Sequence, residues 1–202
     1  MARALELAAR GLFSTAPNPA VGCVVLDSAG KVVGEGWHQR AGEPHAEVLA
    51  LRQSQGHDRE GTVYVTLEPC SHHGRTPPCV EALLAAAPKR VVVAMEDPNP
   101  RVAGEGVRRL QEAGIDVHVG LLGAQAAELN RGFVCRMTRG RPWVTVKLAS
   151  SLDGRTALAD GSSKWITGPA ARADVQRLRA RASAVLTGIG TVLADDPALT
   201  VR

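Results

Sequence analysis

One histidine and two cysteines in the first part of the chain have the spacing of a metal site. His45 is followed two residues later by Glu47, and Cys70 and Cys79 each follow a proline. An imidazole and two thiols are ligands that Zn²⁺ takes in catalytic sites, with water in the fourth position. A carboxyl group beside that water can take its proton and pass it on. The H-x-E and P-C pattern therefore predicts hydrolytic deamination of an amino-substituted pyrimidine or purine.

Two alternatives use the same three residues. A structural zinc site, or a zinc-stabilised binding module without activity, would need a fourth protein ligand. Cys23 lies in an apolar run and Cys135 on an apolar helix face, so we expect both in the core. Three ligands with Glu47 close by favour catalysis over either alternative.

The segment between the two cysteines is longer than in a P-C-x-x-C motif. It spans residues 71–78 and contains His72, His73 and Arg75. Basic side chains beside a zinc pocket can bind an anion such as a substrate phosphate. A solvated polar loop is the alternative interpretation.

Composition sets limits on the class of protein. The 202 residues are 45% hydrophobic and 22% charged, enough for one full domain and part of a second. No apolar run approaches the roughly 18 residues of a membrane span. The first ten residues are typical of an amphipathic helix and not of a signal peptide. We therefore expect a cytoplasmic protein without a membrane partner, whose cysteines bind metal and do not form disulfides.

Charge is unevenly distributed along the chain. Residues 1–138 carry 14 basic and 15 acidic side chains, whereas residues 139–202 carry 10 and 5. A basic segment can attract nucleic acid or a phosphorylated small molecule. Aromatic residues make up only 3% of the chain, which gives little surface for stacking on bases. We expect a small-molecule ligand and no nucleic acid.

The order of predicted elements indicates the fold. Apolar periodicity and turn residues predict a helix at 2–11, a strand pair at 21–26 and 32–37, and then alternating helices and strands. This order predicts a three-layer α/β/α sandwich with a mixed sheet, in which His45, Cys70 and Cys79 meet near the starts of two neighbouring helices. The further predicted elements are helices at 44–53, 78–87, 106–113, 125–137 and 170–181, and strands at 62–67, 90–95, 115–119, 143–148 and 184–186.

Several longer motifs extend this pattern over nearly the whole chain. They are residues 18–22, 45–47, 68–72, 74–79 and 97–100, followed by 147–155, 164–167, 190–197 and 199–202. Together they resemble the bifunctional deaminase/reductase family of riboflavin biosynthesis. The insert between the two cysteines is the most specific part of the resemblance.

The resemblance implies a cytidine-deaminase-like domain at residues 1–140. It implies removal of the 2-amino group of 2,5-diamino-6-ribosylamino-4(3H)-pyrimidinone 5′-phosphate, with one Zn²⁺ per domain. The residues it implies are His45, Cys70 and Cys79 as zinc ligands, Glu47 as proton donor and acceptor, Asn18 at the base, and His38, His72 and Arg75 near the sugar phosphate.

For residues 141–202 the resemblance implies the beginning of a dihydrofolate-reductase-like domain. In the family this domain reduces the ribose of the deaminated product with NADPH. Because only its opening part is present, we expect this chain alone to deaminate but not to reduce. The implied positions are Ala149, Trp165, Thr191 and Asp195 for NADPH, Ser163, Arg179, Leu199 and Arg202 for the substrate, and Lys147 in the active-site strand.

A tRNA adenosine deaminase is the second enzymatic hypothesis, because it shares the H-x-E and P-C motifs. The long insert, the near-neutral first part and the few aromatic residues argue against it. We also expect a homo-oligomer, either a dimer or a tetramer.

Overall fold

Short runs rich in valine form one five-stranded sheet, in a computed structural model that describes residues 1–74, 76–100 and 102–202. The sheet order is β2-β1-β3-β4-β5. Strand β1 is antiparallel to β2 and β3, while β3, β4 and β5 run parallel to one another. This mixed sheet confirms the predicted fold class. The strands are β1 (Gly22–Leu26), β2 (Val32–Trp37), β3 (Thr62–Val65), β4 (Arg90–Val93) and β5 (Asp116–Val119).

Helices cover both faces of the sheet. Successive strand residues point to opposite faces, so Val25 packs in a core cluster with Ala50, while Val24 packs with Leu7 on the other side. The three layers predicted from the sequence are therefore present. The helices of this part are α1 (Ala2–Ala9), α2 (Ala46–Ser54), α3 (Cys79–Ala86), α4 (Glu105–Glu112), α5 (Gly123–Leu129) and α6 (Arg131–Arg139).

Glycines in β2 let α2 lie directly against the sheet. A Cβ atom on Gly36 would lie 2.3 Å from the Ala46 carbonyl oxygen, and one on Gly34 would lie 2.1 Å from that of Ala50. Real Cβ atoms do not approach an oxygen so closely, so any larger residue would push the helix away. The two glycines therefore determine where α2, and with it Glu47, sits on the sheet.

Strand direction brings four chain segments to one edge of the sheet. Because β1 is antiparallel to β2 and β3, its start lies beside the ends of those strands, with Gly22 opposite Trp37 and Cys23 opposite Val65. Strand β4 is parallel to β3 and ends at the same edge. The segments that precede β1 and follow β2, β3 and β4 therefore lie close together.

The helix predicted at 125–137 is two helices in the structure. Asn130 lies between α5 and α6, and its side chain is buried. Its Oδ1 accepts the Ala20 N–H at 2.8 Å, and its Nδ2 donates to the Ala20 carbonyl at 2.9 Å. This bidentate contact with a distant loop accompanies the break, which a local helical pattern does not reveal.

The chain divides into two compact units, Met1–Trp143 and Val144–Arg202. The second unit contains α7 (Pro169–Arg181) and α8 (Ile189–Asp195). The strands predicted at 143–148 and 184–186 are not formed there, and Leu148 and Leu186 are 84% and 99% exposed. Extended segments become strands only when a neighbour pairs with their backbone groups. None of the helices in the described residues is both long and apolar enough to span a membrane.

Candidate active site

His45, Cys70 and Cys79 meet at the edge of the sheet described above. His45 immediately precedes α2, Cys70 follows the end of β3, and Cys79 is the first residue of α3. Helix α2 thus begins two residues later than the helix predicted from Pro44, because His45 has an extended backbone. One ligand atom from each of these three residues lies within 4.8 Å of a ligand atom in both of the others. Among the described residues, no fourth metal-binding side chain belongs to this group.

The three side chains fit a zinc ion. His45 Nδ1 lies 3.2 Å from Cys79 Sγ and 3.6 Å from Cys70 Sγ. Tetrahedral zinc with its usual bonds to nitrogen and sulfur would separate such ligand atoms by about 3.5 Å. The distances and the donor atoms therefore agree with one metal ion, and Nδ1 is the imidazole atom directed at both sulfurs.

Hydrogen bonds make one of the two thiols acidic. The Cys79 thiol donates to Cys70 and lowers the pKa of Cys70, and the His45 ring lowers it further. The Cys79 backbone N–H also donates to Cys70 Sγ at 3.3 Å. A thiolate at Cys70 in turn raises the pKa of His45. The same contact raises the pKa of Cys79, so one sulfur of the pair is a thiolate and the other keeps a proton that a bound metal would displace.

Glu47 lies in the first turn of α2 and is almost fully buried. Burial, followed by the charge on Cys70, raises the pKa of Glu47 to about 7. Its Oε2 is the one buried side-chain oxygen or nitrogen without a hydrogen-bond partner in the described part of the chain. A buried carboxyl oxygen without a partner normally costs free energy, which indicates that a ligand completes this site.

A cavity of about 440 Å³ opens over the cluster. Asn18, His38, His45, Glu47 and Cys70 all line it. His38 is buried, and burial lowers the pKa of its ring. His72, in the insert, is exposed and also lines the cavity. Arg75 lies outside the described residues, so its predicted position near a phosphate stays a prediction.

Several further cavity residues were given no role by the sequence analysis. Among them are Thr76, Asp97, Asn99 and Phe133. Thr76 Oγ1 lies 3.5 Å from His45 Nε2. Burial raises the pKa of Asp97, with Glu68 adding to the effect. The 97–100 segment was visible as a motif, whereas Phe133 lines the cavity from α6, and Asn130 at the start of that helix is hydrogen-bonded to the loop before β1.

Cys23 and Cys135 lie in the core, as the sequence analysis predicts. All four cysteines are free of disulfide bonds. Neither Cys23 nor Cys135 belongs to the cluster, so among the described residues no further thiol serves as the fourth ligand that a structural zinc site would require.

The residues predicted for a second active site lie on separate elements of the second unit. Lys147 and Ala149 are in a segment without helix or strand, and Thr191 and Asp195 lie one turn apart on α8. Arg179 of α7 donates to the Thr200 carbonyl, and the Arg202 N–H donates to Gln176 Oε1. Residues 200 and 202 therefore lie beside α7. The Trp165 ring lies 4.4 Å from the Arg172 guanidinium. Ser163 is exposed and Leu199 partly buried.

Two family models match the chain. The model described as the cytidine and deoxycytidylate deaminase zinc-binding region matches residues 1–95, and that of the RibD C-terminal domain matches residues 142–202. The first match contains the whole candidate metal cluster, which agrees with the zinc chemistry inferred from its donor atoms. The second agrees with the resemblance of residues 141–202 to a reductase domain.

Named relatives match over the whole chain. The riboflavin biosynthesis protein RibD of Escherichia coli is 63% identical over 202 residues, which are 100% of this chain and 55% of that protein. The solved RibD of Acinetobacter baumannii has a TM-score of 0.95 at 59% identity, and the deaminase/reductase of Thermotoga maritima has 0.94 at 46%. Each match covers 100% of this chain, and 56% and 58% of those structures. The chain is therefore similar over its whole length to RibD proteins of riboflavin biosynthesis, and it spans about half the length of the curated relatives it matches.

Proposed function

We propose that the unit at residues 1–143 carries out the deamination step of riboflavin biosynthesis. The substrate is 2,5-diamino-6-ribosylamino-4(3H)-pyrimidinone 5′-phosphate, which loses its 2-amino group as ammonia. The observation that carries the proposal is the convergence of His45, Cys70 and Cys79 beside a buried Glu47 oxygen that lacks a partner. Three protein ligands leave one position of a tetrahedral zinc for chemistry.

Glu47 is the proton carrier of the reaction. Zinc held by the cluster supplies Lewis-acid chemistry that makes water nucleophilic near neutral pH. Glu47 takes a proton as water attacks the amidine carbon, and it delivers a proton to the departing amine. Burial raises the pKa of Glu47 above its usual range, which suits a carboxyl group that must both take and deliver a proton near neutral pH. The net change is replacement of the amino group by a carbonyl oxygen, with release of ammonia.

The cavity wall supplies substrate contacts. We assign Asn18 to the substrate ring and His38 to the side of the sugar phosphate, and both residues line the cavity. We assign His72 and Arg75 to the ribose phosphate, since both belong to the insert and a cationic or hydrogen-bonding side chain there suits a phosphate. The supporting fact is that exposed His72 lines the same cavity as Glu47.

We propose that residues 144–202 contribute to the NADPH-dependent reduction carried out by the whole family protein. The NADPH positions are Ala149, Trp165, Thr191 and Asp195, with Ser163, Arg179, Leu199 and Arg202 for the substrate and Lys147 in the segment that corresponds to the family's active-site strand. The apolar side chains of this unit are largely exposed, with Val146 and Leu193 at 76% and 80%. A reductase site needs a covered core, so we propose that this chain alone reduces nothing.

The cellular setting follows from the same proposal. We propose a cytoplasmic homo-oligomer that acts on a small molecule and binds neither nucleic acid nor membrane. The relatives named above are riboflavin biosynthesis proteins, which favours a pyrimidine phosphate over a tRNA adenosine.

Mass spectrometry of the diaminopyrimidine phosphate after incubation with zinc-loaded protein tests the function. We expect one amino group to be replaced by oxygen, with one equivalent of ammonia released, and no conversion when a chelator has removed the metal. Failure to convert the pyrimidine, together with inosine formation in tRNA, would favour the tRNA deaminase. Salt dependence of tRNA binding provides a second check, since phosphate contacts give a steep slope.

A further inference from the structure

The first half of the insert, residues 71–74, carries two adjacent histidines with different surroundings. His72 lines the cavity that contains Glu47. His73 is not among the described residues that line this cavity, and its Nε2 lies 3.6 Å from Glu81 Oε1 in the first turn of α3. The insert therefore presents one histidine to the cavity and the next one to α3.

A second contact holds the start of the insert from outside the cavity lining. The Arg109 guanidinium, on α4, donates from Nη1 to the Ser71 carbonyl at 3.3 Å. Both residues are partly buried, whereas the neighbouring Arg108 is exposed and pairs with Glu105 and Glu112 of its own helix. Of these two adjacent arginines, Arg109 is therefore the one that reaches the insert.

Backbone contacts hold the two ends of the insert but not its first half. The Val80 N–H donates to the Cys70 carbonyl at 3.2 Å, which joins the residues on either side of the insert. The Gly74 N–H donates to the Thr76 carbonyl at 3.3 Å, which makes a turn within the insert and connects it to no other element. The direction of residues 71–74 therefore depends on the side chains that reach them from α3 and α4.

The Arg109 contact is the stronger of these two. The side chains of His73 and Glu81 are 74% and 49% exposed, and an ion pair in water contributes little because solvent and salt screen it. A guanidinium that donates to a partly buried carbonyl makes a charge-assisted hydrogen bond, which is shielded better and is stronger. Since Ser71 stands directly before His72, fixing the Ser71 carbonyl also fixes the direction in which His72 leaves the backbone.

We propose that Arg109 is a positioning residue that holds the start of the insert so that His72 faces the phosphate-bearing end of the substrate. The proposal rests on the deaminase function proposed above and on the assignment of His72 to the ribose phosphate. Arg109 lies outside both the metal cluster and the cavity lining. It therefore acts on substrate affinity through the insert and not on the proton transfer at Glu47, and it favours the phosphorylated substrate over its dephosphorylated form.

Steady-state kinetics with Arg109→Met test the consequence for the substrate. Methionine keeps an unbranched apolar stem but removes the guanidinium, so we expect KM for the ribosyl phosphate to rise about fivefold at unchanged kcat, the effect of one lost hydrogen bond. KM for the dephosphorylated compound and the zinc content should not change. Arg109→Lys keeps a charged donor and should recover most of the lost affinity. An equal rise of KM for both compounds, or a fall in kcat at normal KM, would overturn the proposal.

Arg108→Met is the matched control. It removes the same charge from the next position of the same helix, but from a side chain that pairs within α4. We expect its KM for the ribosyl phosphate to equal that of the unmodified protein. The same rise of KM in Arg108→Met and Arg109→Met would assign the effect to net charge and contradict a positioning role.

Amide hydrogen exchange of the zinc-loaded protein without substrate tests the positioning itself. We expect amides of the insert, Gly74 among them, to exchange faster in Arg109→Met than in Arg108→Met, while the strands of the sheet exchange alike in both. Equal exchange in the insert would overturn the proposal. Loss of protection throughout the sheet would also contradict it, because Arg109 would then support the whole domain. Absence of deamination by the unmodified protein would instead contradict the proposed function, and the exchange rates would still decide whether Arg109 holds the insert.

Discussion

The carboxylate of Glu68 accepts the backbone N–H of Gly106 at 2.8 Å and so ties the end of β3 to the start of α4. The same buried side chain also accepts N–H groups of Asp97, Gly104 and Val107. Glu68 lies two residues before Cys70, and Asp97 lines the cavity. One carboxylate therefore holds the metal-binding segment and the opposite cavity wall together.

Removing this carboxylate should unfold the site. We expect Glu68→Ala to lower the free energy of unfolding by at least about 3 kcal/mol, since four backbone donors lose a charged acceptor in a buried place. Urea unfolding followed by circular dichroism measures the change. Glu105→Ala removes a solvent-accessible carboxyl group, which pairs with Arg108, from the first turn of α4 and should change little. Equal effects of the two substitutions would show that the Glu68 contacts are not important for stability.

A methyl group on Gly36 should displace α2. Its Cβ would lie 2.3 Å from the Ala46 carbonyl oxygen, so we expect Gly36→Ala to cost roughly 1–3 kcal/mol of stability. Because α2 carries Glu47, deamination should fall further than stability alone explains. Gly132→Ala, where a Cβ meets nothing within 4 Å, is the control and should be neutral or slightly stabilising. A fully active and stable Gly36→Ala protein would contradict the close approach.

The contact between Asn130 and Ala20 should hold Phe133 at the cavity. Asn130→Ala removes two hydrogen bonds to the Ala20 backbone, and we expect a loss of about 2 kcal/mol in stability with a raised KM. Thermal unfolding and steady-state kinetics measure the two effects. Gln125→Ala, on the exposed face of α5, should change neither. An unchanged KM in Asn130→Ala would mean that the loop before β1 keeps its place without this contact.

Metal content should distinguish the two kinds of cysteine. We expect Cys70→Ser to lose most of its zinc, because it removes one of three proposed ligands. Cys135→Ser changes a buried cysteine outside the cluster and should keep one zinc per chain. Elemental analysis of the purified proteins decides between them. Full zinc occupancy in Cys70→Ser would remove Cys70 from the ligand set.

The sequence was most informative where chemistry and local pattern coincide. The H-x-E and P-C residues were sufficient to point to the three members of the metal cluster. The valine-rich strands and the order of helices and strands were sufficient to predict the mixed sheet and its three layers. Cys23 and Cys135 were correctly predicted to be core residues, because Cys23 lies in an apolar run and Cys135 on an apolar helix face.

Features that depend on distant contacts could not be predicted in this way. The break between α5 and α6 accompanies a contact 110 positions away along the chain, between Asn130 and Ala20. Glu68 resembles any acidic residue after a strand until the N–H groups around it are known. The strands predicted at 143–148 and 184–186 failed for a related reason, since β-branched residues do not form a strand without a pairing neighbour.

The most direct test of the proposed deaminase is turnover by zinc-replete Glu47→Gln. Glutamine keeps the size of the side chain but cannot carry a proton, so we predict normal zinc content with deamination of the pyrimidine phosphate reduced at least about 100-fold. Near-normal turnover by that protein, at full zinc occupancy, would contradict the assignment of Glu47 as the proton carrier and with it the proposed mechanism.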